Sequence, residues 1–298
     1  MDEPRAPRSI SIRGRDLVFG ARTYVMGIIN LTADSFSGDG LMKAGTVPVD
    51  AVTQQAIAMA AAGADVLDIG GESTRPGHRA VSTDEELARV VEAVSAVRAA
   101  LPAMPLSIDT SKPAVAAAAL DAGADIINDV TAVTSGVALA PLAASRRVPY
   151  VLMHGRAEAR YEDVVREVVA DLADAVARAI AAGCEEDSLI VDPGIGFGKT
   201  AEHNLSLLRH LGALRVLGRP ILLGASRKST IGRVLGLPPD QRLEGTLATT
   251  ALGIAQSADI VRVHDVAANV RAARMADAIV RGQWHDDDND PGSPPPAA

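Results

Sequence analysis

The chain is 298 residues long, with 48% hydrophobic and only 2% aromatic residues, so its core must be filled mainly by alanine and branched aliphatic side chains. A formal net charge of −8 argues against nucleic-acid binding, which needs a basic surface. No apolar run approaches the ~18 residues of a membrane span.

Eight short apolar runs, each ending in a polar cluster, alternate with helical stretches after a predicted tail and β-hairpin over residues 1–22 (ISIRG, DLVFG). The predicted strands are 23–29, 65–70, 105–109, 125–129, 148–153, 188–192, 219–224 and 259–263. The predicted helices are 50–62, 83–100, 112–122, 136–146, 161–182, 203–214, 243–257 and 267–281. This alternation is typical of a (β/α)₈ TIM barrel, an α/β fold, which we predict as a single domain over residues 23–282. The charged, proline-rich end, residues 283–298, predicts a disordered tail rather than a metal or partner site.

The residues where the strands end form the candidate site, because barrel enzymes carry their chemistry at the carboxyl ends of the strands. These residues are Asn30, Asp68, Asp109, Asn128, His154, Asp192, Lys228 and Arg262. Two loops on the same side, from Asn30 to about Asp50 and from Gly71 to about Thr83, are longer than ordinary connections. Such loops usually bind ligands or close over them.

Cationic and donor groups gather after the last two strands: Lys228 within SRKS, and Arg262 and His264 within RVHD. Barrel phosphate sites often lie at these two loops. We therefore predict a phosphate or diphosphate site. The alternative is a structural ion-pair cluster of Arg262 and His264 with Asp259 or Asp265.

Acidic and amide side chains end three other strands, at Asp109, Asn128 and Asp192. A carboxylate there is costly unless it is paired. Carboxylates accept hydrogen bonds whereas an amide also donates, so together they suit a flat heterocycle with several N–H donors. Structural pairing with Arg or Lys is the alternative.

Reactive nucleophiles are scarce in this pattern. There is no GxSxG elbow, His154 and His264 lack zinc-site spacing, and GIGFGKT fails as a phosphate-binding P-loop because its first glycine would fall on Pro193. Cys184, the single cysteine, lies in a helix-to-strand turn away from the strand ends, which favours a plain turn residue over a thiol nucleophile. One cysteine and a polar N-terminus favour a cytoplasmic protein.

Seven motifs resemble, in order and spacing, those of the dihydropteroate synthase family: MGIINLTADSFSGDG, DIGGESTRPG, SIDTSKP, INDV, DPGIGFGK, GASRKS and RVHD. The resemblance covers about residues 23–281. It implies a folate-pathway transferase, a sulfonamide target, that joins (7,8-dihydropterin-6-yl)methyl diphosphate to 4-aminobenzoate. Alternatives are a methyltetrahydrofolate-type methyltransferase barrel and a non-catalytic or weakly active pterin-binding paralogue.

Roles for individual residues are implied by the resemblance. The pterin ring would be held by Asp109, Asn128, Asp192 and Lys228, with Met153 and Phe197 packed near it. The diphosphate would contact Arg262 and His264, and Asn30 would be the protein ligand to Mg²⁺. The second loop would close the site with Thr74 and Arg75, while Phe36, Pro76 and Ser229 would border the aminobenzoate pocket. Catalysis would rest on Asp109, Lys228, Arg262 and His264.

The first loop departs from the family pattern. Ala33 stands where the family usually has proline, and Gly38 and Asp39 displace the second loop acid by one position. Proline fixes φ near −65°, so Ala33 loosens the expected loop. The resemblance also implies a homodimer formed through the later helices.

Overall fold

The computed structural model describes residues 8–31, 48–72 and 81–282. A hairpin opens the described chain, with β1 at Ser9–Ile12 and β2 at Arg15–Val18 paired antiparallel. The hairpin was predicted from two short apolar runs separated by the arginines, and it is confirmed. Residues 1–7 and 283–298, including the predicted tail, lie outside the described residues, so the outer domain boundaries remain predictions.

Eight parallel strands follow within the described residues, in the order β8-β7-β6-β5-β4-β3-β10-β9. They are β3 Tyr24–Asn30, β4 Val66–Gly70, β5 Leu106–Asp109, β6 Ile126–Asp129, β7 Tyr150–Met153, β8 Leu189–Asp192, β9 Leu222–Leu223 and β10 Ile260–Val263. A bridge between Val191 and Ile221 joins the two ends of this order. The strands thus curl into the predicted barrel.

Helices cover the outside of the barrel. They are α1 Val49–Ala61, α2 Thr83–Ala100, α3 Pro113–Ala122, α4 Ala140–Arg146, α5 Val164–Ala181, α6 Ala201–Arg209, α7 Ser229–Leu235, α8 Leu243–Ala255 and α9 Val266–Arg281. α4 begins four residues later than predicted because Gly136 and Val137 have positive φ, which a right-handed helix excludes. The predicted helix over 203–214 ends at Arg209, and a 3₁₀ helix takes its place over Leu211–Leu217.

The barrel interior has an apolar lower layer near the amino ends of the strands and a polar upper layer near their carboxyl ends. Its lower layer is a cluster of inward-facing side chains from seven strands, closed underneath by hairpin residues. The members are Ile10, Ile12, Leu17, Phe19, Tyr24, Met26, Val66, Ile126, Val151, Ile190, Leu222 and Ile260. Because side chains alternate along a strand, the inward residues one step further on, among them Asp68, Asp109 and Asn128, form the upper layer.

The surrounding helices pack on the outer face of the strands through a second, larger apolar cluster that includes Val90, Leu172 and Leu207. No helix in the described part of the chain is both long and apolar enough to cross a membrane. The hairpin and these two clusters hold the strand ends in place, which is what the site requires.

Candidate active site at the carboxyl ends of the strands

Asp68 is the centre of the polar layer, although the family resemblance assigns it no ligand-binding role. Its side chain is fully buried. One carboxylate oxygen, Oδ2, accepts hydrogen bonds from Arg262 Nε at 2.6 Å and from Asn128 Nδ2 at 3.0 Å. Asp68 therefore orients two predicted ligand-binding residues from opposite sides of the barrel.

Asp109 presents a carboxylate oxygen into the same layer. Its Oδ2 accepts a hydrogen bond from Arg262 Nη2 at 2.7 Å. Its Oδ1 is buried and has no hydrogen-bond partner among the described residues. Burial raises the pKa of Asp109 to about 7, although the charge of Arg262 opposes that rise. A buried acceptor without a donor is destabilising by about 1–3 kcal/mol, so this oxygen is poised to receive an N–H from a ligand.

Asp192 and Lys228 form the opposite wall. Asp192 Oδ1 accepts from the Gly194 N–H at 2.7 Å. Lys228 Nζ donates to the Ile195 carbonyl and lies 4.7 Å from the centre of the Phe197 ring. Burial raises the pKa of Asp192 and lowers the pKa of Lys228 to about 8. The wall thus offers one acceptor, one cation and one aromatic face.

Gly224 keeps space open between these groups. A Cβ at this position would lie 3.6 Å from Asp192 Oδ2, 3.9 Å from Lys228 Nζ and 4.0 Å from Arg262 Cβ. These are ordinary contact distances. A methyl group would therefore fit, but it would occupy the space that the three side chains face.

The expected anion site is assembled in part. Ser226 Oγ and His264 Nδ1 are 2.9 Å apart, which orients the His264 ring beside the end of β10. Arg262 does form an ion pair, as the structural alternative required, but its partners are Asp68 and Asp109. Asp265 pairs instead with Arg227 at 2.6 Å. The alternative named the wrong carboxylates, because spacing along the chain does not reveal contacts across the barrel.

The remaining predicted residues lie at the rim or outside the described residues. Met153 is buried at the end of β7, Asn30 is partly buried at the end of β3, and Ser229 is exposed at the start of α7. Phe36, Thr74, Arg75 and Pro76 lie outside the described residues, as do Ala33, Gly38 and Asp39. Within the described part of the chain, no group of three or more His, Cys, Asp or Glu side chains is placed to hold a metal ion.

Sequence reasoning missed Lys199 and the role of His154. The Lys199 ammonium lies against the glycine-rich turn 194–198 and 2.9 Å from His154 Nδ1. His154 is fully buried, and its two ring nitrogens contact Asp171 and Lys199. The signal is present in GIGFGKT, since a lysine directly after closely spaced glycines can bind their carbonyl groups, but neither the P-loop comparison nor the family motif assigns this lysine a role.

The chain is similar over most of its length to known pterin-binding enzymes. Residues 26–264 match the family model described as "Pterin binding enzyme". A dihydropteroate synthase from Clostridium beijerinckii is 45% identical over 91% of this chain and 100% of its own. The Xanthomonas albilineans synthase solved with 4-aminobenzoic acid is 42% identical, with a TM-score of 0.84 over 92% of this chain and 98% of its own. The same bacterium's synthase solved with 7,8-dihydropteroate is 40% identical, with a TM-score of 0.79 over 91% of this chain and 98% of its own.

Proposed function

This chain belongs to the dihydropteroate synthase family, and from that premise we propose the reaction it catalyses. It joins (7,8-dihydropterin-6-yl)methyl diphosphate to 4-aminobenzoate in folate biosynthesis, and it releases 7,8-dihydropteroate and diphosphate. The observation that carries the proposal is the unpartnered buried oxygen of Asp109, set in one layer with Asn128, Asp192 and Lys228.

Recognition of the pterin ring follows from the hydrogen-bonding groups in that layer. The carboxylates of Asp109 and Asp192 accept from ring and amino N–H groups, while Lys228 donates to a ring acceptor. Asn128 is held by Asp68, which fixes the direction of its amide. Phe197 and Met153 supply apolar surface for the flat ring. A layer that is already ordered before binding loses little conformational entropy when the ring enters.

Departure of the diphosphate is the step that the cationic groups assist. The C–O bond breaks with its electron pair going to the diphosphate, and negative charge grows on that leaving group. Arg262 and His264, at the end of β10 and just beyond it, stabilise this charge by electrostatic attraction and hydrogen bonding. Arg262 is held rigidly by two carboxylates, so little reorganisation is needed as the charge develops.

Mg²⁺ is the proposed cofactor, and the donor set fits it. Mg²⁺ in phosphate chemistry usually keeps several waters and binds through one or two protein oxygens together with substrate phosphates. The amide oxygen of Asn30, at the end of β3 on the same rim, is such a donor. When bound, the ion neutralises charge on the leaving diphosphate.

The amine of 4-aminobenzoate completes the reaction. Its nitrogen lone pair forms a C–N bond to the carbon that the diphosphate has left, and the nitrogen then loses one proton. Ser229, exposed at the start of α7, lies next to Lys228 at the mouth of the pocket. We assign it to the rim of the aminobenzoate pocket, together with Phe36 and Pro76, and we assign Thr74 and Arg75 to the loop that closes the site.

A homodimer through the later helices is part of the proposal. α8 and α9 pack against each other, and Leu252, Met275 and Ile279 are 66%, 62% and 71% exposed. Large apolar side chains exposed on neighbouring helices favour burial against a second copy of the chain. Light scattering after size exclusion tests this: twice the chain mass is expected, and the Leu252→Glu variant should shift it toward one chain mass.

Two expectations come with family membership. We propose a cytoplasmic location, which suits the single, buried and unpaired thiol of Cys184. We also propose that sulfonamides compete with 4-aminobenzoate for its pocket. Inhibition that disappears at high 4-aminobenzoate concentration would support this competition.

A coupled assay for diphosphate release tests the proposed reaction. Purified protein is given the pterin diphosphate with and without 4-aminobenzoate and Mg²⁺. Release that requires the amine, with equal formation of dihydropteroate, is the expected result. No amine-dependent release at saturating substrate, with pterin diphosphate binding retained, would show a binding paralogue instead.

A further inference from the structure

The ammonium of Lys199 lies in a cage of acceptors. Its Nζ is 2.9 Å from the Gly194 carbonyl oxygen, 3.0 Å from that of Phe197 and 2.9 Å from His154 Nδ1. The His154 carbonyl oxygen is the fourth acceptor, at 3.4 Å. An ammonium has three donors and no acceptor, so it suits such a cage.

The turn that Lys199 contacts, residues 194–198, has a backbone conformation that requires glycine. Gly194, Gly196 and Gly198 have φ of +66°, +87° and +60°. A Cβ on Gly194 would lie 1.7 Å from the His154 carbonyl oxygen, and one on Gly198 would lie 2.0 Å from that of Arg156. The turn therefore touches the chain that follows β7, and glycine alone permits this approach.

Three ligand-binding groups depend on this turn. The Gly194 N–H binds Asp192 Oδ1, the Ile195 carbonyl accepts from Lys228, and Phe197 belongs to the turn itself. Lys199 binds carbonyl groups at two points, Gly194 and Phe197, on either side of Ile195. A displacement of the turn would therefore move all three groups.

A rigid support lies behind the cage. His154 Nε2 is 3.0 Å from Asp171 Oδ2, and Arg156 Nη2 donates to the same oxygen at 2.8 Å. Burial lowers the pKa of His154 to about 4, so the ring is neutral. With Nε2–H donating to Asp171, Nδ1 is the acceptor that faces Lys199.

We propose that Lys199 is a positioning residue for the pterin pocket, which holds Asp192, Phe197 and Lys228 in place by fixing the 194–198 turn against His154. This inference rests on the proposed function, since it concerns the pterin site of that reaction. It also explains GIGFGK without a P-loop. The glycines shape the turn, and the lysine binds it from behind rather than binding a phosphate.

The charge of Lys199 sets the pH range in which the cage is complete. Burial lowers its pKa to about 7, and the cations of Lys228 and Arg156 add to that effect. The carboxylates of Asp192 and Asp171 oppose it. Above pH 7 the amine therefore loses a proton and one donor, so pterin affinity should fall in a way that depends on Lys199.

The test compares two cations that bind carbonyl groups at opposite ends of the barrel. Lys199→Met removes the ammonium from the pterin side. Arg98→Met is the matched control, because Arg98 donates to the carbonyl groups of Leu101, Met104 and Gly123 near the amino ends of the strands. Calorimetry measures the Kd for the pterin diphosphate with Mg²⁺, and urea unfolding measures stability. Binding by the wild-type protein is measured first, and its absence would refute the proposed function rather than this inference alone.

Lys199→Met should raise the pterin Kd at least tenfold, while Arg98→Met should lower stability and leave the Kd within twofold of wild type. The wild-type Kd should rise between pH 6.5 and 8 more steeply than that of Lys199→Met. A wild-type Kd in Lys199→Met, or equal Kd increases in both variants, would overturn the proposal.

Chemical rescue and a milder variant complete the test. Lys199→Cys in a Cys184→Ala background can be aminoethylated while unfolded, which restores an amine of nearly the length of lysine. Refolded protein should recover a Kd within about threefold of wild type. No recovery would contradict a positioning role for the Lys199 ammonium. If Lys199→Met does not fold, Asp171→Asn weakens the same support from the surface. It should raise the Kd severalfold, and an unchanged Kd would overturn the proposal.

Discussion

Asp109→Asn should separate ligand binding from stability. The side chain keeps its shape but loses its charge. Arg262 has only donors, so the amide oxygen will face Arg262 Nη2, which now binds Asp109 Oδ2 at 2.7 Å. The amide NH₂ will then occupy the position of the unpartnered Oδ1. A donor will stand where the pterin ring needs an acceptor.

The expected loss of pterin affinity follows from this replacement of an acceptor by a donor. A hydrogen bond to a charged group contributes about 1.5–3 kcal/mol, and every 1.4 kcal/mol is tenfold in affinity. The pterin diphosphate should therefore bind about 10- to 140-fold more weakly at pH 8. Isothermal calorimetry with saturating Mg²⁺ measures this directly.

The stability of the variant should not fall together with its pterin affinity. Burial raises the pKa of Asp109 from 3.8 to about 7. A carboxyl group whose pKa is raised by folding stabilises the folded state below pH 4. That stabilisation is lost as the pH rises through 7. At pH 8 the wild-type protein carries the cost of this buried charge, and the variant does not. The free energy of unfolding in urea should thus be equal or higher in the variant at pH 8.

Asp129→Asn is the matched control. Asp129 is the neighbour of Asn128 on β6 and is equally buried, but its carboxylate binds the Tyr150 hydroxyl at 2.7 Å and the Thr131 N–H at 2.9 Å outside the barrel. This variant should lose stability and keep its pterin affinity. If Asp109→Asn loses stability and keeps affinity, Asp109 is a structural partner of Arg262 and the site has been assigned wrongly.

Three further variants probe other parts of the layer. Arg262→Ala leaves two buried carboxylates without their cation, so turnover should fall by orders of magnitude and stability by about 3–5 kcal/mol; near-normal steady-state kinetics would remove Arg262 from the site. Lys228→Arg should reduce the decline of pterin affinity above pH 8, because burial lowers the pKa of Lys228 to about 8 and arginine keeps its charge there; identical pH profiles would contradict this. Gly224→Ala should leave the unfolding midpoint unchanged and raise the pterin Kd, since its Cβ fits 3.6 Å from Asp192 Oδ2; unchanged affinity would place the ligand elsewhere.

The sequence predicts the strand ends well, because each buried strand is an apolar run that stops where a polar cluster begins. β5, with Asp109 last, and β8, with Asp192 last, end on the predicted residues. Contacts across the barrel could not be predicted in this way. Arg262 and Asp68 are 194 positions apart, and no local pattern distinguishes Asp68 from Asp259 as a partner. Lys199 was missed for a related reason, since its partner His154 lies on another strand-to-loop segment and only the closed barrel brings them together.

The two layers inside the barrel also explain why binding and stability can be altered separately. The lower layer is apolar and includes hairpin residues such as Ile10 and Phe19, so its burial stabilises the fold without using the polar groups above it. The upper layer keeps buried carboxylates whose desolvation opposes folding, as the raised pKa of Asp109 and of Asp192 indicates. Such groups persist where a ligand supplies the missing hydrogen bonds. Neutral substitutions in the upper layer should therefore weaken pterin binding more than they weaken the fold, whereas cavities in the lower layer should do the reverse.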